Sequence, residues 1–443
     1  MGLTQIDNTP FRHSYHCPAT LQFWLDYVAA ANVAATKMDD QLACALQSGM
    51  GIEETGKDIL FSKKSILHSV LKANKKLKMH RRATLNDCIM LSVGLMMGTP
   101  IDEPVKVFPR EKKGGALGVI HSFGLTHRTA QDLVARIMSR HLKPRPFQYG
   151  LRGMHKAVAD VKKRVDAGYI YAARLDIKDF FGSFALEKLA PELPLPHEVV
   201  EHAVVGRHIE VYVDQSKSKG YASPLHTPHY DDLISLARRG IPPGSACSPI
   251  IAEFMISRLA WEPSKQVVIV NYCDDWLILA LKIEHLDAAV RALTDAVSKL
   301  PGGHFELLRI DQGSAPEGFG FLGHHFQLVN GLVRTTVAAK AVFSLGAKLA
   351  KLDQTFSDLV YDPKNKNKPN KKKEALNLLA EMTALVKGWG AAFREADDVG
   401  RHTSWCEIQV AKDAADLGFS PNQVAAAIDA SMPYHPTDYV LAG

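Results

Sequence analysis

The chain has 443 residues, of which 46% are hydrophobic and 23% charged, with a formal net charge of +6. This composition is typical of a globular protein with two or three packed units, and it excludes an intrinsically disordered chain. No apolar run reaches the length of a membrane span, and the N-terminus lacks the layout of a signal peptide. We therefore expect a cytoplasmic protein that has no membrane partner.

Six cysteines are scattered along the chain, and no two of them form a Cys-x-x-Cys pair. Structural zinc sites and disulfide frameworks both depend on close, regular cysteine spacing. The pattern predicts reduced thiols at Cys17, Cys44, Cys88, Cys247, Cys273 and Cys406.

Two stretches hold much of the positive charge. The first runs from Lys63 to Arg82, and the second is the lysine-rich stretch "DPKNKNKPNKKKE", residues 362–374. Basic stretches often form solvated faces without a further function. They also bind polyphosphate strands, because lysine and arginine displace the counterions of the strand. The sequence leaves both interpretations open.

The hydrophobic pattern divides the chain into three parts. Residues 1–60 have apolar positions at helical spacing. From Gly115 to about Phe326 strand-like and helix-like segments alternate, and after Asn330 the pattern is helical again. We predict a helical region, a mixed region and a second helical region over residues 1–100, 101–330 and 331–443.

Local patterns place individual elements within these parts. "AVADVKKRV", residues 157–165, has one apolar helical face, and "YIYAARLDI", residues 169–177, alternates as a strand does. Ser248 precedes Pro249, which predicts that the serine caps a helix beginning at the proline. Residues 185–230 read as a hairpin with a polar turn. A later stripe predicts a packing helix and comprises Leu378, Met382, Leu385, Trp389 and Phe393.

Two adjacent aspartates, Asp274 and Asp275, lie between the apolar runs of "VVIVNYCDDWLILA", residues 267–280. The runs predict the two strands of a hairpin with the aspartates at its tip. A plain turn is one interpretation, because aspartate is common in turns. A cation site is the other, because adjacent carboxylates repel each other unless a positive charge lies between them.

A third aspartate, Asp176, ends the strand-like run in "RLDIKDFFGSF", residues 174–184. It lies 98 residues before Asp274, which is enough chain for a crossover that sets the two strands side by side. Three carboxylates at adjacent strand ends would bind two divalent ions about 3.5–4 Å apart. Phosphoryl transfer needs little else from a protein, because positioning and charge neutralisation dominate its chemistry.

Four motifs resemble, in their order, the palm motifs of reverse transcriptases: "LDIKDFFGSF", "IPPGSACSP", "NYCDD" and "EGFGFLGHHF". Upstream, "GALGVIHSFGLTHRTAQDLVARIM" and "QYGLRGMHKAV" resemble the fingers motifs of the bacterial group II intron branch, and "LVKGWGAAFREAD" resembles its thumb helix. The resemblance covers about residues 105–400. The cysteine in the tetrad and the compact length look most like the defence-associated reverse transcriptases of type 2.

The resemblance implies an α+β, right-hand polymerase with fingers and palm, an antiparallel sheet flanked by helices, and an α-helical thumb. The fingers would begin in the first predicted region, fingers and palm would fill the second, and the thumb and a C-terminal segment the third. It also implies Mg²⁺ or Mn²⁺ as the cofactor. The implied catalytic and metal-binding residues are Asp176, Asp274 and Asp275, with the Ile177 carbonyl as a further metal ligand.

The resemblance also implies substrate contacts. The implied nucleotide-binding residues are Phe181, Gly244, Arg152 and Lys113. Phe181 matches a steric gate, whose ring disfavours a ribose 2′-OH, and Phe180 is expected in the core. Glycine lets backbone approach the nucleotide, and the forked guanidinium of arginine suits phosphate. The implied primer and template contacts are Tyr272, Phe321, Leu322 and Gly323.

Three positions depart from the family pattern. Pro243 stands where members usually have glutamine, which removes a side-chain amide and a backbone donor. Gly115 stands where an arginine is usual, so Lys112 or Lys113 would supply the charge. Arg309 falls near the position of a lysine thought to protonate pyrophosphate, and arginine scarcely releases a proton.

The leading hypothesis is an RNA-directed DNA polymerase that copies an RNA template into a DNA strand from dNTPs. In the resembled group the template is a non-coding RNA and the synthesis serves antiphage defence. An RNA-dependent RNA polymerase is an alternative that the bulky Phe181 disfavours, and Pro243 leaves open a template-independent nucleotidyltransferase. A non-catalytic, maturase-like RNA-binding protein would not need all three aspartates. The oligomeric state is not predicted.

Overall fold

The computed structural model describes residues 18–77, 81–111, 117–213, 230–365 and 369–431. Cys17, Lys112, Lys113 and Gly115 lie outside the described residues, as does the polar turn within residues 214–229. Among the described helices, none is both long and apolar enough to cross a membrane.

Helices make up most of the regular structure. In chain order they are α1 (Pro18–Ser48), α2 (Ile52–Phe61), α3 (Lys63–Lys75), α4 (Leu85–Gly94), α5 (Leu125–His141), α6 (Met154–Asp166), α7 (Leu186–Leu189), α8 (His197–Val199), α9 (Tyr230–Ala237), α10 (Ser248–Ile256), α11 (Ile283–Ser298), α12 (Ala339–Tyr361), α13 (Lys371–Ala392), α14 (Val399–Asp416) and α15 (Pro421–Ser431).

The strands form sheets in the orders β2-β1-β4, β5-β6-β3-β7 and β10-β9-β8. In chain order they are β1 (Val105–Glu111), β2 (Leu117–Ser122), β3 (Tyr171–Ile177), β4 (Val211–Val213), β5 (Val267–Tyr272), β6 (Asp275–Ala280), β7 (Leu307–Ser314), β8 (Phe319–Phe321), β9 (His324–Val329) and β10 (Leu332–Val337). Helices and largely antiparallel pairing confirm the α+β class.

The chain divides into two compact units, the first of which comprises Met1–Pro146, Ile177–Trp261 and Thr294–Leu307. Its sheet pairs β1 antiparallel to β2 and parallel to β4. The N-terminal helices pack on α5, where the nearly buried Arg136 guanidinium donates to Asp39 at 2.8 Å and to the Ser65 hydroxyl at 2.8 Å. A buried guanidinium with these partners fixes three helices to one another.

The second unit comprises Phe147–Asp176, Glu262–Leu293 and Leu308–Gly443. Its core forms because α6 has the apolar face predicted from residues 157–165, and that face packs with Leu277, Phe321 and Phe326. Helices α12 to α15 share a second core around Phe356, Leu379, Met382 and Val410.

Two local predictions need correction. Ser248 is the first residue of α10 rather than its cap, and its hydroxyl donates to the Pro242 carbonyl at 2.9 Å. The prediction of a hairpin over residues 185–230 is not among them: β4 pairs in parallel with β1, and residues 214–229 lie outside the described residues. Helix α13 forms as predicted, but its most buried face is Leu379, Met382 and Val386, because it packs against three helices and not one.

Candidate active site

The two aspartates lie at the tip of a hairpin, as predicted. Strands β5 and β6 pair antiparallel from Val267 opposite Ala280 to Tyr272 opposite Asp275. Both strands are almost wholly buried, which explains why their sequences are continuous apolar runs. Only Cys273 and Asp274 remain between the last pair, so the loop has two residues.

The turn has an unusual backbone. Of its two residues only Cys273 has a positive φ, +56°, as in a type II′ turn. Glycine usually occupies that position, because a side chain in the left-handed region costs free energy. Cys273 is therefore strained, and such strain is characteristic of functional sites.

Asp176 lies beside this tip. Strand β3 pairs antiparallel with β6, and in this register Asp176 is directly opposite Asp275. Side chains of directly opposed residues point to the same face, with Cβ atoms about 4.5–5.5 Å apart. The predicted juxtaposition of Asp176 with the Asp274–Asp275 tip is confirmed at the level of the backbone.

An arginine that the motifs did not indicate joins these carboxylates. Arg174 donates from Nε and Nη2 to one oxygen of Asp275, at 3.1 and 2.6 Å, and both side chains are about three-quarters buried. Arg174 lies two residues before Asp176 and therefore on the same face of β3. The sequence did contain a signal for this arginine, because Arg174 is a charged residue within a mostly apolar strand and lies two positions before Asp176.

The carboxylates match the chemistry of a divalent cation, since hard cations prefer carboxylate oxygens. Asp176 and Asp274 lie on neighbouring strand ends, whereas Asp275 bonds to Arg174. Among the described residues no group of three or more His, Cys, Asp or Glu side chains is arranged to hold a metal ion. The two-metal site thus stays a prediction, with Asp176 and Asp274 as its principal ligands.

Arg152 belongs to the same unit as the aspartates. It lies in a turn before α6, is exposed, and its guanidinium lies 5.7 Å from the centre of the Tyr149 ring. Burial and the neighbouring Asp160 raise the pKa of Tyr149 to about 12, so the phenol stays neutral. An exposed guanidinium over an aromatic ring is well placed to bind an anion.

Phe181 and Gly244 lie in the first unit. Phe180 is 3% exposed and packs on Phe184 and Phe305, as expected of a core residue. Phe181 is only half-buried, and its carbonyl accepts from the Ile241 amide at 3.0 Å. This hydrogen bond fixes the start of the loop that leads to Gly244.

The loop around Gly244 depends on His121. Gly244 has a φ of +93°, and a Cβ there would lie 3.0 Å from the His121 carbonyl, so any other residue would be strained and crowded. The His121 ring faces the carbonyls of Pro243 at 3.2 Å and Ala237 at 2.9 Å. Burial lowers the pKa of His121, so the neutral ring donates to one carbonyl at a time.

Residues Phe321 to His324 form a second tight hairpin turn. Leu322 and Gly323 both have positive φ, +48° and +74°, as a type I′ turn requires. The Phe321 side chain is 1% exposed and belongs to the core. Of the three residues predicted to contact a primer here, only Leu322 and Gly323 lie at the tip of the turn, and the contacts themselves stay a prediction.

Other predicted residues have plainer surroundings. Ile177 is buried in β3, and Lys113 lies outside the described residues. Tyr272 is half-buried, packs against the core of the second unit and closes the turn opposite Asp275. Arg309, on β7, bonds to Gln312 and lies 3.7 Å from Asp287.

Several residues of the two basic stretches bond within the chain. Lys72 pairs with the buried Asp132 at 3.0 Å, Lys63 donates to the Val93 carbonyl at 2.8 Å, and Lys371 donates to the Val360 carbonyl at 2.8 Å. At least these three cations contribute to the structure, so the stretches are not simply a free polycation.

Comparison with known proteins gives one family. The family model "Reverse transcriptase (RNA-dependent DNA polymerase)" matches residues 112–326. No curated protein matches the chain significantly.

Solved structures share a distant likeness. A telomerase from Candida albicans in complex with a fragment of telomeric RNA is 10% identical, with 74% of this chain and 64% of that chain covered and a TM-score of 0.33. An apo telomerase from Candida tropicalis is 13% identical, with 53% and 56% covered and a TM-score of 0.31. The RNA-dependent RNA polymerase of bacteriophage phi12 is 12% identical, with 73% and 48% covered and a TM-score of 0.34.

This chain thus spans less than two thirds of each of those three chains. Likenesses this weak carry no conclusion about substrates or partners. Reverse transcriptases generally use divalent metal ions, in keeping with the aspartates described above. The family match thus assigns residues 112–326, a little under half of the chain, to a stretch similar to a reverse transcriptase domain.

Proposed function

We propose that this protein copies an RNA template, a non-coding RNA, into a DNA strand from dNTPs, and that this synthesis serves antiphage defence. The observation that carries the polymerase part is the pairing of Asp176 opposite Asp275, with Asp274 at the tip of the adjoining turn. It lies within the residues that match the reverse transcriptase family model.

Each residue of the proposed site has a defined task. Asp176 and Asp274 would hold Mg²⁺, or Mn²⁺ in its place, with the Ile177 carbonyl as a further ligand. The bound ion would supply the charge neutralisation that phosphoryl transfer requires. Asp275 would assist mainly by fixing the turn, because its carboxylate bonds to Arg174.

Four residues would contact the nucleotide. Arg152 would bind the triphosphate with its guanidinium, and Lys113 would add charge there. Gly244 would let the backbone approach the nucleotide, and Phe181 would exclude the ribose 2′-OH. Tyr272, Leu322 and Gly323 would contact the primer strand. In domain terms, residues 101–330 would be fingers and palm and residues 331–443 the thumb and C-terminal segment.

The test is nucleotide incorporation by the purified full chain with the nucleic acid that copurifies with it. We expect labelled dNTPs, with Mg²⁺, to enter a product whose sequence is complementary to a copurifying RNA. The double variant Asp274→Ala plus Asp275→Ala should give no product. Preference for NTPs would instead support an RNA-dependent RNA polymerase, and a product unrelated to any copurified RNA would support a template-independent transferase.

A non-catalytic RNA-binding protein predicts a different result. Such a protein would bind RNA but incorporate no nucleotide under any of these conditions. The defence role has its own test, since plaque counts of phages should fall only in cells that carry the wild-type chain. If the double variant protected equally well, DNA synthesis would not be part of defence.

Phe181 is tested by the choice of sugar. Phe181→Ala should raise ribonucleotide incorporation at least about tenfold relative to dNTPs, because the lost ring no longer opposes the 2′-OH. The measurement is the ratio of kcat/KM for a dNTP and the matching NTP. Phe180→Ala is a matched control, which should lower stability without changing that ratio. An unchanged ratio in Phe181→Ala would remove the residue from the gate.

A further inference from the structure

The turn that presents Asp274 is strained, because it has a cysteine at the position of positive φ where glycine is usual. Cys273 has a φ of +56° in a loop of only two residues, between Tyr272 and Asp275. A cysteine in this region prefers other conformations. The surrounding structure must therefore fix the turn, or Asp274 would sample several positions.

The side chain that fixes it is Asn271. Its Nδ2 donates to the Cys273 carbonyl at 2.8 Å and lies 3.5 Å from the Asp275 carbonyl. It therefore reaches the backbone at both ends of the turn around Asp274. Asn271 is completely buried, so its own amide is shielded from water and gains most from a partner inside the protein.

The carbonyl oxygen of the Asn271 amide makes no hydrogen bond, so the amide stabilises the turn through its N–H donor alone. Its Oδ1 is buried without a hydrogen-bond partner. Burying an unpaired acceptor costs free energy, which an apolar residue of the same size would avoid. The reversed amide would place this oxygen against the two turn carbonyls, so the orientation with Nδ2 toward them is the favourable one.

The backbone of Asn271 is fixed from the opposite side. Its N–H donates to the Phe147 carbonyl at 2.8 Å, and its own carbonyl accepts from the Tyr149 N–H at 2.8 Å. The segment 147–149 thus pairs with the outer edge of β5 and leads directly to Arg152. Asn271 cannot move to follow a relaxing turn, so its amide acts as a rigid clamp.

We propose that Asn271 is a positioning residue that holds the strained Cys273–Asp274 turn and thereby places Asp274 for catalysis. This inference rests on the proposed polymerase function for its catalytic part only. The clamp itself is a property of the folded chain, and it can be measured in the absence of metal and nucleotide.

The test compares Asn271→Leu, which keeps the branched shape of the side chain and removes the donor, with the control Val270→Ala. Val270 is a buried neighbour on the same strand whose side chain points to the other face. Hydrogen exchange of the metal-free full chain should speed up at least about tenfold in the peptide 272–276 of Asn271→Leu, and less than about twofold in the control. Asn271→Ser gives the same comparison if the leucine variant does not fold.

Polymerisation gives the second readout. In the Asn271 variant kcat should fall about 10²-fold, while KM for dNTP changes less than about threefold, because a misplaced carboxylate affects the reaction more than binding. A purely structural role predicts equal losses in Asn271→Leu and Val270→Ala, and that result would overturn the proposal. If exchange speeds up but the wild type incorporates no nucleotide, the clamp stands and the polymerase function fails.

Discussion

Two tight turns of the second unit are each held by a hydrogen bond from a buried side chain to a backbone carbonyl of the turn. In the Tyr272–Asp275 turn, the buried Asn271 donates to the carbonyl of Cys273, which has a positive φ. In the Phe321–His324 turn, the buried His324 donates from Nδ1 to the carbonyl of Leu322, which also has a positive φ.

Their surroundings differ. The first turn carries Asp274 and Asp275 and has charged neighbours, including Arg174. The two loop residues of the second turn, Leu322 and Gly323, carry no charge, and the His324 ring that follows them lies 5.0 Å from that of Phe393. In the first turn the strained residue is Cys273, and it lies beside charged side chains. In the second turn one of the two residues with positive φ is a glycine, which adopts that conformation without strain. The comparison teaches that the same kind of hydrogen bond holds a turn that carries two carboxylates and a turn that packs against an aromatic ring.

Removing the charge at the first tip should have the largest effect. Asp274→Asn should lower incorporation of dNTPs about 10³-fold or more, because a lost metal ligand removes several kcal/mol of transition-state stabilisation. The measurement is kcat/KM at saturating template. Asp311→Asn, an exposed aspartate on β7 of the same sheet, is the control and should retain activity. Substantial activity in Asp274→Asn would rule out its role as a ligand.

Removing the glycine of the second tip should affect stability. Gly323 has a φ of +74°, and a Cβ there would lie 3.1 Å from the Phe393 ring. Gly323→Ala should therefore lower the free energy of unfolding by about 1–2 kcal/mol, the usual cost of a side chain in this region. Denaturant titration measures it. Gly331→Ala, also at positive φ but with open space around it, separates the backbone cost from the contact with Phe393. Equal losses in both variants would mean that the contact contributes nothing.

The two clamps should differ in their response to pH, because histidine titrates and asparagine does not. Burial lowers the pKa of His324, and a proton on its buried Nε2 would find no partner. The unfolded chain then binds more protons, so this residue contributes stability that is full above about pH 6.5 and declines as the pH falls below it.

His324→Asn keeps a donor near Leu322 and removes the titration. The difference in unfolding free energy between wild type and variant should shrink between pH 7 and pH 5, by up to about 1.4 kcal/mol for each unit by which the pKa is lowered. The buried His121 and His127 and the partly buried His68, whose pKa values are also lowered, respond alike in both proteins and cancel in the difference. A difference independent of pH would show that His324 protonates freely in the folded state.

Relieving the strain of the first turn should have the smallest effect. Cys273→Gly should raise the free energy of unfolding by about 0.5–1 kcal/mol, because the relief of a positive φ exceeds the entropy that glycine loses on folding. Activity should not rise with it, since a looser turn presents Asp274 less firmly. A variant of lower stability would show that the Cys273 conformation is not strained.

Much of this protein could be predicted from its sequence. The hairpin with Asp274 and Asp275 at its tip and the strand ending near Asp176 followed from alternating and continuous apolar runs, since burial of one or both faces dictates such patterns. The pairing of β3 with β6 was an inference from chain length and the motifs, and the structure confirmed it.

Other features were decided by contacts between residues distant in the sequence. The bond from Arg174 to Asp275 joins residues 101 positions apart, and His121 reaches the Pro243 carbonyl over 122 positions. The sequence around each of these residues does not indicate its partner, because a hydrogen bond between distant segments depends on how whole helices and strands pack.

The sequence by itself determined which residues are acidic, which runs are buried and where the turns fall, because composition and periodicity act locally. Only the tertiary structure decided that Asp275 faces Arg174, that Phe321 is buried while Leu322 is at the tip, and that Asn271 holds the turn. Those outcomes depend on the strand register and on the residues packed around it, which a single strand or helix does not specify on its own.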